Sequence, residues 1–199
     1  MKKIKKSFWK EVKEDYVESW KFIKDSKKFI LFGILIFFIF ALVGFFAKVP
    51  ESISNSLLNY FKELVEMTAD YGALKMILFI FFNNLKASFL GMIFGIIIGL
   101  FPLFNLFGNG FILGFASKYS VSQNGFLSLF RLVPHGIFEL PAIFLALGLG
   151  LKLGTFAFEK KNKFKVLREY LINCLKVFVL IIFPLLVIAA IIEGLLIVL

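Results

Sequence analysis

Three ionisable residues stand four apart in the chain: Arg131, His135 and Glu139. On a continuous helix that spacing stacks them on one face. Their neighbours are Leu, Val, Ile, Phe and Pro, and ionisable groups in such a setting are costly and usually functional. One reading is a proton-titrating or ligand-binding site. The other is structural: His135 and Glu139 cap a broken turn and pin two helices together. Asn83, Asn84 and Asn109 are amides inside other apolar runs. Each needs hydrogen-bond partners. They either bond between helices, at roughly 0.6–2 kcal/mol each, or line a polar site around Glu139. Lys86 is either snorkelled or paired with a carboxylate. Glu193 and Lys176 read as solvated positions near helix ends.

Other chemistry finds little support. His135 is the single histidine, so with Glu139 it supplies two metal ligands and nothing specifies a third. The HExxH pattern of zinc proteases is absent. Ser88, Ser117, Ser120, Ser122 and Ser128 are nucleophile candidates by composition alone, since a catalytic serine needs a base beside it. Cys174 stands by itself and forms no internal disulfide; it reads as a small buried apolar residue. No cofactor, no metal and no enzymatic activity are expected.

The elements that position these residues follow from composition. Of 199 residues 60% are hydrophobic, 18% are charged and 29 are Phe. A soluble domain averages roughly half apolar and a quarter charged. Intrinsic disorder, which needs few aromatics, is excluded, and a soluble enzyme is disfavoured. The expected class is an all-α, polytopic membrane helical bundle of about five transmembrane helices. Residues 1–28 carry Trp9, Val12, Tyr16, Trp20 and Ile23 at three- and four-residue steps. That spacing predicts an amphipathic helix lying on the membrane surface. Residues 29–199 form a single transmembrane domain, with spans at about 29–47, 73–100, 103–119, 126–154 and 170–197. A second interfacial helix is expected within 51–72. Residues 120–125 read as a turn. Pro134 and Pro141 predict a broken or kinked fourth helix, and Pro184 a kink in the last.

The formal net charge of +10 also finds its place. Ten of the 23 Lys and Arg residues fall in 2–28 and six in 152–168, flanking apolar runs. They are topology signals and contacts to anionic lipid, and no nucleic-acid motif accompanies them. With the N-terminus inside, these blocks are cytoplasmic. Lys48, Lys62, Lys75, Lys118 and Arg131 lie on the opposite side. The expected arrangement is a multi-pass protein of the cell membrane, N-terminus cytoplasmic and C-terminus extracytoplasmic. Small residues at four-residue steps, Gly91, Gly95 and Gly99 and then Gly110 and Gly114, let helices approach closely. They pack spans within the chain or form a homo-oligomeric or heteromeric interface.

The string Leu132-Val133-Pro134-His135-Gly136-Ile137-Phe138-Glu139-Leu140-Pro141-Ala142 resembles the signature of the stage II sporulation protein M family. Asn83-Asn84 and Asn109-Gly110-Phe111-Ile112-Leu113-Gly114 are similar to further parts of its pattern, and the resemblance covers about residues 30–197. It implies a polytopic protein of about five spans, without catalytic activity of its own. In spore formers such a protein works in engulfment, as a scaffold or anchor for partners that remodel peptidoglycan. Relatives occur in bacteria and archaea that make no spores. The expected function is therefore a membrane scaffold or complex subunit, with membrane-protein partners or a second copy, and anionic lipid at the cytoplasmic face. The alternative is a transporter or permease component, proton-linked through Glu139.

Overall fold

A computed structural model describes residues 8–160 and 162–198, with the side chains at 8, 130–135, 138 and 198 outside the description. The described residues are helical throughout their ordered elements. They comprise α1 (Phe8–Asp25), α2 (Lys27–Phe46), α3 (Glu51–Thr68), α4 (Ala73–Ile93), α5 (Leu100–Asn124), α6 (Val133–Gly154), α7 (Lys163–Val177) and α8 (Phe183–Val198). Short 3-10 turns follow α4 and α6 and precede α6, and a π turn, Phe178–Ile182, joins α7 to α8. Five helical stretches among the described residues are long and apolar enough to cross a membrane: Lys27–Phe46, Ala73–Ile96, Leu100–Asn124, Glu139–Phe158 and Lys163–Ile197. The protein is a multi-pass membrane protein.

α6 is the centre of the bundle. Within its span 61% of the residues are buried, against 22% for α2 and for α4. Ala142, Ala146, Leu147, Leu149 and Leu153 are fully enclosed. α2 and α5 cover one side of it through Phe37, Leu106 and Phe144. α4, α7 and α8 cover the other through Met92, Cys174, Val177, Ile182 and Leu186. The outer faces remain rich in exposed Phe, Leu and Ile, as suits helices solvated by lipid.

Backbones meet where side chains vanish. A Cβ on Gly110 or Gly114 would strike the Phe37 or Ala41 carbonyl of α2, and one on Gly44 would strike Phe111 of α5. A Cβ on Gly95 would strike Gly150 of α6. The glycine stripes are thus consumed inside the chain. Gly99 has a different task. It caps α5 with φ 70°, next to Ile98 at φ 51°, in a tight turn of apolar residues between α4 and α5. A β-branched residue in the left-handed region is strained, and Gly154 of α6 packs directly against this turn.

Several boundaries differ from the expected ones. The third span does not stop at 119. α5 runs on through Ser120–Asn124, because no residue there forbids helix, and it ends only where Gly125 turns to φ 74°. α6 begins at Val133, so Pro134 occupies its first turn, where a missing N–H costs nothing. The helix then continues through Pro141. In the last span the π turn ends at Ile182, two residues before Pro184. Proline cannot donate to the carbonyl four residues back. That carbonyl, Leu180 O, accepts instead from the Tyr16 hydroxyl at 3.1 Å.

α1 leans on α7 with a face one step away from its aromatic stripe. Ser19, Phe22 and Ser26 are buried, while Trp9, Tyr16 and Trp20 stay exposed, as aromatic residues at a membrane interface do. Ser26 ends α1, its hydroxyl donating to Phe22 O at 2.6 Å, and a single residue separates α1 from α2. α3 has no buried residue. It touches the bundle at one edge, where Phe61 meets Phe115.

Candidate functional site

The register between α4 and α6 brings the site together. Gly91 lies against Leu147, Gly95 against Gly150 and Gly99 against Gly154. The offsets are 147 − 91 = 56, 150 − 95 = 55 and 154 − 99 = 55, so the helices run parallel in fixed register. The same offset, 139 − 84 = 55, sets Glu139 beside Asn84. α8 arrives from the opposite direction, with Gly194 seated on Ile77 and Ala190 packed with Met76 and Ile80 of α4. Glu193 lies on this helix and reaches Glu139.

Glu139 interacts with the Glu193 carboxyl and with the Asn84 amide. One polar group comes from each of α4, α6 and α8, and all three are half-buried. Two carboxyl groups brought together away from water repel when both are ionised, and a protonated one can donate to the other. Asn84 supplies the neutral donor. The arrangement can hold a proton and brings polar groups of three helices together. Glu193 is therefore not a solvated end residue. It reads as one in sequence because it lies six residues from the end of the chain. The i, i+4 partners of Glu139 carried no hint of it.

The other expected site residues are dispersed. Arg131 and His135 have side chains outside the described residues. Asn109 is exposed on α5 and donates to Asn105 O at 2.9 Å, within its own helix. Asn83 and Lys86 lie on the exposed flank of α4. A cation at mid-membrane costs roughly 2.5–3.5 kcal/mol on insertion scales. Among the described residues no group of three or more His, Cys, Asp or Glu could hold a metal ion.

A second polar seam lies at the other end of the bundle. Lys176 of α7 is gripped by Asp15 and Glu18 of α1, each at 2.6 Å, so it too departs from the expected solvated position. Lys152 of α6 is buried, with its ammonium 4.7 Å from the Phe22 ring and 5.3 Å from the Tyr170 ring. The Cys174 thiol donates to Leu149 O at 3.9 Å. These contacts fasten α1 to α6 and α7. Acidic residues of the charged N-terminal block carried this signal, at positions where attention falls on the lysines.

Residues 30–196, nearly all of the bundle, match the family described as Stage II sporulation protein M. The chain belongs to the stage II sporulation protein M family. An uncharacterized protein of Methanocaldococcus jannaschii is 31% identical over 174 residues, covering 85% of this chain and 77% of that protein. No solved structure matches the chain. In this member of the stage II sporulation protein M family, the Pro134–Ala142 string forms the first turns of α6 and carries Glu139 to the contact with α4 and α8.

Proposed function

We propose that the protein is an integral membrane scaffold or complex subunit that anchors or organises partners remodelling the membrane or envelope. The observation that carries this reading is the division of polar groups at membrane depth. Asn84, Glu139 and Glu193 are spent on one another inside the bundle, whereas Asn83 and Lys86 are displayed on its outside. A displayed polar group in lipid calls for a partner. In this reading α1 and the 152–168 block face the cytoplasm and its anionic lipid, and the C-terminus lies on the far side. The test is purification from native membranes in mild detergent. A second membrane protein in fixed ratio supports the scaffold, and a strictly monomeric chain without partners contradicts it.

The Glu139–Glu193 pair favours a second reading, a proton-linked transporter or permease component, because a shared proton between helices is a feature of proton relays. Reconstitution in vesicles separates the two. Proton movement that Glu139→Gln abolishes would support transport, and its absence from a folded, reconstituted protein would rule it out.

A further inference from the structure

Lys86 occupies an unusual position for an exposed cation. It is 86 − 73 = 13 residues from the start of α4 at Ala73 and 96 − 86 = 10 from Ile96, where the helical stretch ends. That is about 20 Å and 15 Å of helix. A lysine stem spans about one helical turn, so the ammonium cannot snorkel to either end. Among the described residues no carboxylate or carbonyl receives it. Asn83, one turn away on the same flank, is likewise exposed and without a partner among the described residues. Lys86 stands on a ridge between two grooves. One, of about 450 Å³, runs past Phe82 and Leu78 toward Tyr71 and Lys75. The other, of about 640 Å³, lies between α4 and the π turn, against Phe178 and Phe183. Apart from Lys86 the second is lined by apolar side chains, whereas the first sets Leu78, Phe79 and Phe82 beside Tyr71, Lys75, Asn83 and Lys86.

We propose that this flank of α4 receives a transmembrane helix of a different protein, one carrying an aspartate or glutamate near its middle. The carboxylate meets Lys86, Asn83 bonds beside it, and the apolar side chains of the incoming helix fill the two grooves. The proposal rests on the scaffold reading and names the chemistry of the partner. A second copy of this chain fits poorly. A two-fold contact through α4 would set Lys86 against Lys86, and like charges at membrane depth repel. The chain's own carboxyls on the neighbouring spans, Glu139 and Glu193, already face each other inside the bundle. A lipid phosphate fits no better, since it stays at the interface, more than a lysine's reach away.

The test uses the full chain, fluorescently labelled, in phosphatidylcholine vesicles. The probes are leucine-based transmembrane peptides of about 21 residues, carrying Glu, Gln or Leu at the centre. Energy transfer is expected to show the Glu peptide associating at least about tenfold more tightly than the Leu peptide, with Gln between them. Lys86→Leu should remove that preference and Lys86→Arg should keep it, with helical content unchanged in both. A Glu peptide no tighter than the Leu peptide overturns the proposal, and so does a preference that survives Lys86→Leu. Lys86-dependent association of labelled chains with each other would overturn it in favour of a second copy. If a partner purified from native membranes stays bound to the Lys86→Leu variant, this assignment fails while the scaffold reading stands.

Discussion

Glu139 and Glu193 meet from different helices, with Asn84 as the third member. A carboxyl pair brought together away from water is expected to hold a proton, which gives an observable. The infrared carbonyl stretch of a protonated carboxyl should be present in wild type and vanish in the Glu139→Gln, Glu193→Gln double variant. Glutamine can still donate and accept, so Glu139→Gln alone should cost less than about 1 kcal/mol of stability. Glu139→Ala, which strands two partners, should cost about 1–3 kcal/mol, read from thermal unfolding in detergent. Equal losses for both would contradict the pairing. Tyr16 is the second residue with a specific duty, supplying the donor that Pro184 withholds from Leu180 O. Tyr16→Phe should cost about 1 kcal/mol in the same assay. Half of this site was legible in sequence. Glu139 announces itself, because it stands four residues from His135 in an apolar run. Glu193 does not, because its burial depends on how far α8 slides along α4, a tertiary quantity with no local periodicity. Asn109 shows the converse: an amide in an apolar run that bonds within its own helix and reaches no site.

At the scale of elements, glycine sets what the helices can do. Gly95 and Gly150 let α4 and α6 touch backbone to backbone, and that register places Asn84 at Glu139. Gly95→Leu should therefore destabilise by about 1–3 kcal/mol or more, through overpacking. It should also disturb the Glu139–Glu193 contact, although it lies three turns from it. The diagnostic result is loss of the protonated-carboxyl infrared band in Gly95→Leu. Gly108, where a Cβ would meet nothing, should tolerate alanine with little change. The spans themselves were legible, because an apolar run of about 20 residues admits few alternatives in a membrane. Their ends were less so. Polar residues at 120–124 lower helix propensity slightly but do not stop a helix already nucleated, and Gly125 does. The face of α1 was also displaced from its aromatic stripe. Trp and Tyr there take the exposed face, and small Ser19 and Ser26 with Phe22 take the contact with the bundle.

For the molecule as a whole, the polar inventory divides into an internal tie and an external display. The internal tie joins α4, α6 and α8. The display is the Asn83–Lys86 flank together with basic blocks at one end. The charge distribution predicts which end faces the cytoplasm. Cys174 is buried, so single cysteines introduced at exposed Asn55 and Asn162 can be labelled against a silent background. Impermeant reagent added to intact cells should reach position 55 and not position 162; the reverse pattern would invert the topology. Assembly is the larger question, and mass answers it most directly. Native mass spectrometry on the protein extracted from its own membranes should show a complex heavier than the 22.7 kDa chain by one or more distinct membrane proteins in fixed ratio. A monomer carrying only lipid, together with proton flux that depends on Glu139, would contradict the scaffold account.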